Sequence, residues 1–140
     1  MNPLAILDTS FLLALTNHRD RNHSRVLEVA SAFTGTLVLP SSVLPEVCYL
    51  IASRLGHLTM RRFLHQVVTR NDLLLSSLTP GDLKRVIEIL EQYADCRLDF
   101  VDATIVAMAE RQKIVQVFTL DRRDFSIVRP RHCAGFEILP

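Results

Sequence analysis

The stretch Leu4-Ala5-Ile6-Leu7-Asp8-Thr9-Ser10-Phe11-Leu12-Leu13-Ala14-Leu15 decides how the rest of the chain is read. Leu4 to Leu7 is an unbroken apolar run that stops at an acid, which is the pattern of a short buried strand. Asp, Thr and Ser are all good capping residues, so one of the three after the run starts a helix, expected from Thr9 to Thr16. Strand, acid, helix is thus the opening unit.

The alternation continues outward from there. A helix is expected from Arg21 to Phe33, with Val26, Val29, Ala30 and Phe33 on one face, ending at Gly35. Thr36 to Leu39 reads as a strand closed by Pro40. Ser41 or Ser42 can cap the next helix, which tolerates Pro45 in its first turn and runs to about Leu55 before Gly56. Thr59 to Arg70 is a further helix and Leu73 to Ser76 a short strand. Thr79-Pro80-Gly81-Asp82 is a strong helix start, followed by the apolar stripe Val86, Ile89, Leu90 and Tyr93. Leu98 to Gln112 reads as a helix with Leu98, Val101, Ile105 and Met108 as its stripe. Ile114 to Leu120 is a strand ending at Asp121, and Phe136 to Leu139 an edge strand. Strands separated by helices imply right-handed crossovers and a mainly parallel sheet of four to five strands. Ligands of such sheets bind beyond the carboxyl ends of the strands, where Asp8 and Asp121 fall.

Composition narrows the function. The chain has 140 residues, a one-domain length, so residues 1–140 are expected to form a single domain. Its 49% apolar and 22% charged content excludes a disordered chain. No apolar run reaches the ~18 residues of a membrane span, and the N-terminus lacks the basic start of a secretion signal. The net charge of +1 neither demands nor excludes a nucleic-acid partner, although fourteen of the sixteen basic residues are Arg, whose planar fork suits phosphate. Cys48, Cys96 and Cys133 are far apart and match no zinc spacing, so reduced cysteines in a cytoplasmic protein are expected. The four glycines, at 35, 56, 81 and 135, form no phosphate loop. A phosphoacceptor receiver domain would want an acidic pair after the first strand and a late Lys; the chain offers one acid there, and only Lys84 and Lys113.

The acids form a pattern. Each of them alone is accounted for as a cap or first-turn residue. Asp8 follows the first strand, and Glu46 is the only charge from Pro40 to Ile51. Asp99 and Asp102 share one face of a helix at a spacing where like charges repel. Asp121 follows a late strand. In a doubly wound sheet these four places can converge. Carboxylates ~4 Å apart repel by roughly 4 kcal/mol per pair at an effective dielectric of 20. A divalent cation removes that repulsion. Oxygen-only ligands favour Mg²⁺ or Mn²⁺, which engage phosphates and activate water.

On LDTSFLLAL, SSVLPEVCYLI, DCRLDFVDATIVAMAER, VFTLDRRDFSIVRPR and the terminal FEILP, in that order, the chain resembles the PIN domain family, in particular ribonuclease toxins of the VapBC type. The resemblance implies a three-layer α/β/α fold and a Mg²⁺- or Mn²⁺-dependent endoribonuclease acting on RNA. It also implies a homodimer and a small VapB-like antitoxin that inserts into the acidic groove. By position it makes Asp8 and Asp102 the principal metal ligands, with Asp121 assisting through water or a second metal. Glu46 would orient or deprotonate the attacking water. Asp99 and Asp124 are auxiliary, and Ser10 and Thr119 hold water or phosphate. The segment Arg111 to Arg131 carries six basic residues against two acids, an expected RNA-attracting rim led by Arg122 and Arg123. A PIN-fold RNA-processing nuclease or RNA-binding subunit without an antitoxin is the alternative.

Overall fold

The structure is a computed structural model and describes residues 2–140. In chain order the elements are β1 (Leu4–Leu7), α1 (Thr9–Thr16), α2 (His23–Ala32), β2 (Thr36–Pro40), a 3₁₀ turn (Ser41–Val43), α3 (Leu44–Leu55), α4 (His57–Thr69), β3 (Leu73–Ser76), α5 (Pro80–Gln92), α6 (Phe100–Gln112), β4 (Gln116–Phe118), α7 (Arg122–Ile127) and β5 (Glu137–Leu139). All five strands are parallel, in the order β3-β2-β1-β4-β5, and helices flank the sheet. No helix among the described residues is long and apolar enough to cross a membrane.

The strand order fixes where a site can lie. From β1 the chain steps outward through β2 to β3, then returns to place β4 on the other side of β1. The direction of winding reverses between β1 and β4, and helices leaving these two strands open a crevice at their carboxyl ends. β1 is central because Ala5, Ile6 and Leu7 are all buried, as a strand covered on both faces requires. Its entry is tight: Thr36 N–H donates to Pro3 O at 2.8 Å, and a Cβ on Gly35 would lie 1.9 Å from that same oxygen.

α6 departs from the expected single stripe. Every residue from Asp102 to Ala109 is buried, because α6 packs against α5 on one side and β1 and β2 on another. Its small residues Ala103, Ala107 and Ala109 permit that close approach. Leu98 lies outside α6, which Asp99 caps and Phe100 begins. The expected serine cap of α3 is replaced by the 3₁₀ turn: Ser41 Oγ accepts from Leu78 N–H at 3.1 Å, and Ser42 Oγ pairs with Thr104 Oγ1 at 2.7 Å. The Thr79 cap of α5 is as expected and forms a reciprocal capping box with Asp82.

α5 and α6 are also joined by ion pairs. Arg85 meets Glu110 through two nitrogens at 2.7 and 3.1 Å, both side chains nearly buried. Arg111 meets Asp82 through two nitrogens at 2.9 and 3.0 Å. Glu110 also accepts from the Arg131 backbone, which ties the loop after α7 to the pair. Removing one partner of a buried pair strands the other charge. Glu110→Ala is expected to lower stability by about 3–5 kcal/mol. Asp72→Ala breaks the exposed Arg70–Asp72 pair and is expected to cost under about 1 kcal/mol. Urea denaturation of the two variants checks the contrast.

Candidate metal centre

Asp8 ends β1 and caps α1, accepting from Thr9 N–H at 2.8 Å. Two hydroxyls hold its other oxygen: Thr119 Oγ1 donates at 2.6 Å and Ser10 Oγ lies at 3.2 Å. The same hydroxyls accept from the chain leaving β4, Ser10 Oγ from Leu120 N–H and Thr119 Oγ1 from Asp121 N–H, each at 2.9 Å. Ser10 and Thr119 therefore clasp the ends of β1 and β4 around Asp8. Asp8 is only 6% exposed. Burial raises its pKa, the Thr119, Thr9 and Ser10 donors oppose that, and the charge of Asp121 adds to it.

The start of α6 supplies the second carboxylate. Asp99 and Asp102 form a capping box in which Asp99 Oδ1 accepts from Asp102 N–H at 2.9 Å and Asp102 Oδ2 approaches Asp99 N–H at 3.5 Å. The capping and functional readings of this pair therefore coexist. Asp102 is 7% exposed, and its pKa is pushed up to about 8, first by burial and then by the charges of Asp99 and Asp8. Asp124 is pushed up to about 6 by burial, by a shared hydrogen bond with Asp121 and by that residue's charge, with Arg123 opposing.

One carboxylate oxygen each from Asp102, Asp121 and Asp124 lies within 4.8 Å of the others. This trio contains only oxygen donors, and two of its members hold their protons unusually tightly. Both properties fit a hard divalent cation, which would replace the protons and cancel the mutual repulsion. Asp8 borders the trio and couples electrostatically to Asp102 and Asp121.

The remaining expected site residues fall around this centre. Glu46 is exposed on the first turn of α3 and stands outside the trio. Asp99 is exposed and also outside it, although its charge raises both Asp102 and Asp124. Asp124, ranked auxiliary from sequence, belongs to the trio because Arg122–Ile127 is a helix that turns it back toward Asp121; that short helix was missed. Its signal was the acid spacing in DRRD, three residues apart, the separation that shares a helix face.

Half of the expected phosphate rim is committed elsewhere. Arg122 Nη2 donates to Ile138 O at 3.0 Å and Pro140 O at 2.7 Å, fastening the end of β5. Arg111 is held by Asp82, and Arg131 by Glu88 at 2.6 Å. Arg123 stays exposed beside Asp124.

The sequence matches the PIN domain family over residues 5–129. It is 30% identical over 135 residues to Ribonuclease VapC26 of Mycobacterium tuberculosis, covering 96% of this chain and 99% of that protein. The fold superposes on the crystal structure of M. tuberculosis VapC20, described as a sarcin–ricin loop cleaving toxin, with a TM-score of 0.82 and 23% identity over 94% of this chain and 99% of that one. It also superposes on VapBC2 from Rickettsia felis bound to promoter DNA, with a TM-score of 0.71 and 16% identity over 98% of this chain and 99% of that one. These matches leave no place for the receiver-domain alternative. Asp8, Asp102, Asp121 and Asp124 thus sit at the winding reversal of a fold that sequence and structure identify together, and the chain belongs to the PIN domain family, among its VapC-type members.

Proposed function

We propose that this chain is a metal-dependent endoribonuclease, the toxin of a toxin–antitoxin pair. The carrying observation is the oxygen-only trio of Asp102, Asp121 and Asp124 beside buried Asp8, at the carboxyl ends of β1 and β4. The VapC26 relative, named a ribonuclease, supports the activity. Neighbours solved as VapBC complexes support a small VapB-like antitoxin, and on this reading the chain works as a cytoplasmic homodimer.

Mg²⁺ or Mn²⁺ bound there supplies water activation and neutralisation of charge on the phosphoryl oxygens. Asp8, Asp102, Asp121 and Asp124 would hold it, with Asp99 auxiliary. The Thr119 and Ser10 hydroxyls keep the Asp8 carboxylate turned into the crevice; Thr119, buried and already bonded to Asp8, Ser10 and the Asp121 N–H, has no side left for the water or phosphate expected of it, so that role falls to half-buried Ser10. Asp102 and Asp124 give up their protons on loading. Glu46, exposed on the first turn of α3, is assigned to orient the attacking water and accept its proton at a carboxylate oxygen. Arg123 is free to meet substrate phosphate, whereas Arg122 reaches it only by releasing the β5 carbonyls.

An antitoxin has a second surface available besides the acid crevice. A cavity of about 860 Å³ between α1, α2 and α4 is floored by Leu12, Leu15, Leu37 and Phe63, and Arg19, Arg54 and Arg62 stand on its rim. No acid lines it, which suits an amphipathic acidic segment of the antitoxin.

Asp8→Asn and Asp102→Asn are each expected to reduce RNA cleavage by at least about 100-fold, beyond the usual effect of losing a residue that merely supports a ligand. Each variant should also relieve growth arrest on expression, with the circular dichroism spectrum unchanged. Wild-type protein that folds yet neither cuts RNA with Mn²⁺ nor slows growth contradicts the proposal.

Stability carries a second test. A carboxyl whose folded pKa is raised stabilises the fold at low pH and loses that contribution as pH climbs through the folded value. Unfolded Asp titrates near about 3.9, and folded Asp102 at about 8. The melting temperature of the metal-free protein is therefore expected to fall between about pH 4 and 8, an effect that Asp102→Asn largely removes. Saturating Mn²⁺ should restore stability at pH 8 in the wild type alone, as read by thermal denaturation.

A further inference from the structure

Asp121 and Asp124 supply two of the three oxygens of the acid trio, yet the element that presents them has little means of holding itself in place. α7 is six residues long, well short of the ~12 at which a helix persists alone. Asp121 precedes it, but its side chain caps none of the helix N–H groups. The helix also opens on two cations, Arg122 and Arg123, at the end where positive charge is disfavoured.

The anchors of α7 lie in residues 136–140. Phe125 is fully buried and meets Phe136 edge-on, with ring centroids 6.4 Å apart. Arg122 Nη2 donates to Ile138 O at 3.0 Å and to Pro140 O at 2.7 Å, which uses both protons of that nitrogen. Between these two acceptors, Leu139 O accepts from Thr119 N–H at 2.9 Å. Three successive oxygens at the end of β5 are therefore gripped by the segment Thr119 to Arg122. Asp121 sits inside that grip, and Thr119 also holds Asp8.

We propose that Arg122 is a positioning residue for the metal ion: by fastening α7 to the end of β5, it sets where Asp121 and Asp124 present their oxygens. Mg²⁺ and ions of its size demand close, well-directed oxygen ligands. Groups that orient such ligands govern affinity without touching the ion. Arg122 thus acts on the metal through the backbone it holds, and its place in the first turn of α7 is explained by that contact and not by RNA phosphate. The inference rests on the metal-dependent reading of the site.

The test is calorimetric titration of the metal-free wild type, Arg122→Ala, Arg122→Met and Arg122→Lys with Mn²⁺, beside cleavage of one RNA at saturating Mn²⁺. Arg122→Ala should weaken Mn²⁺ binding at least about tenfold, the effect of losing a group that orients a ligand. Arg122→Met keeps the aliphatic stem without the donors and should match it, which covers an Ala variant that does not fold. Both native bonds come from one nitrogen, so the Lys ammonium can replace it, and Arg122→Lys should stay within about threefold of wild type. At saturating Mn²⁺ the KM for RNA should stay within about twofold in every variant. A phosphate contact would give the reverse, a raised KM with a shallower salt dependence and unchanged Mn²⁺ affinity, and that result overturns the proposal. Ala and Met variants that melt earlier yet bind Mn²⁺ as tightly as wild type, or a Lys variant as weak as Met, also overturn it. A wild type that binds no Mn²⁺ overturns the metal centre and the proposal together. A wild type that binds Mn²⁺ but cuts no RNA overturns the nuclease reading alone, and the calorimetric comparison still decides the role of Arg122.

Discussion

The carboxyl of Asp102 is buried beside Asp8 and within reach of Asp121 and Asp124, and the geometry around it follows from that placement. Such a group can be charged only if something positive stands next to it, or else it keeps a proton. No Arg or Lys is paired with it among the described residues; the buried arginine contacts lie on the far side of α6, with Glu110 and Asp82. The fold thus separates two classes of acid. Those between α5 and α6 are neutralised by arginines and hold helices together. Those at the strand ends are left without cations, in a site suited to a hard metal ion.

The sheet topology creates this separation. β1 and β4 are adjacent although more than a hundred residues apart, and their carboxyl ends meet the start of α6. Ser10 and Thr119 secure the junction with hydroxyls that simultaneously orient Asp8 and accept backbone N–H groups. One set of short polar side chains therefore serves both as fold connection and as ligand support. The α5–α6 ion pairs then hold α6, and with it Asp102, against α5.

Much of this was legible in the primary structure. β1, α1 and β3 have the boundaries expected from their apolar runs, and the Thr79-Pro80-Gly81-Asp82 start of α5 is a local signal that tertiary contacts do not override. Asp8 and Asp121 could be placed at strand ends because an apolar run stopping at an acid is visible without any knowledge of contacts. Three features were hidden. The 3₁₀ turn before α3 uses Ser41 and Ser42 for long-range bonds to Leu78 and Thr104, which no local pattern encodes. α7 is only six residues long, too short for a hydrophobic period, so the three-residue spacing of Asp121 and Asp124 was the one local hint of the trio. Arg111, Arg122 and Arg131 looked like part of a phosphate rim because a sequence shows charge without its partner; Asp82, the Ile138 and Pro140 carbonyls and Glu88 are those partners.

On this reading the metal-free acid crevice carries a proton where a metal ion belongs. Calorimetric titration of the metal-free protein with Mn²⁺ at pH 7, in two buffers of different ionisation enthalpy, counts the protons displaced on binding. With Asp102 at about 8 and Asp124 at about 6, the wild type should release about one proton per ion, and Asp102→Asn should release almost none. Tight Mn²⁺ binding to the wild type with no proton released, or no binding at all, would contradict it.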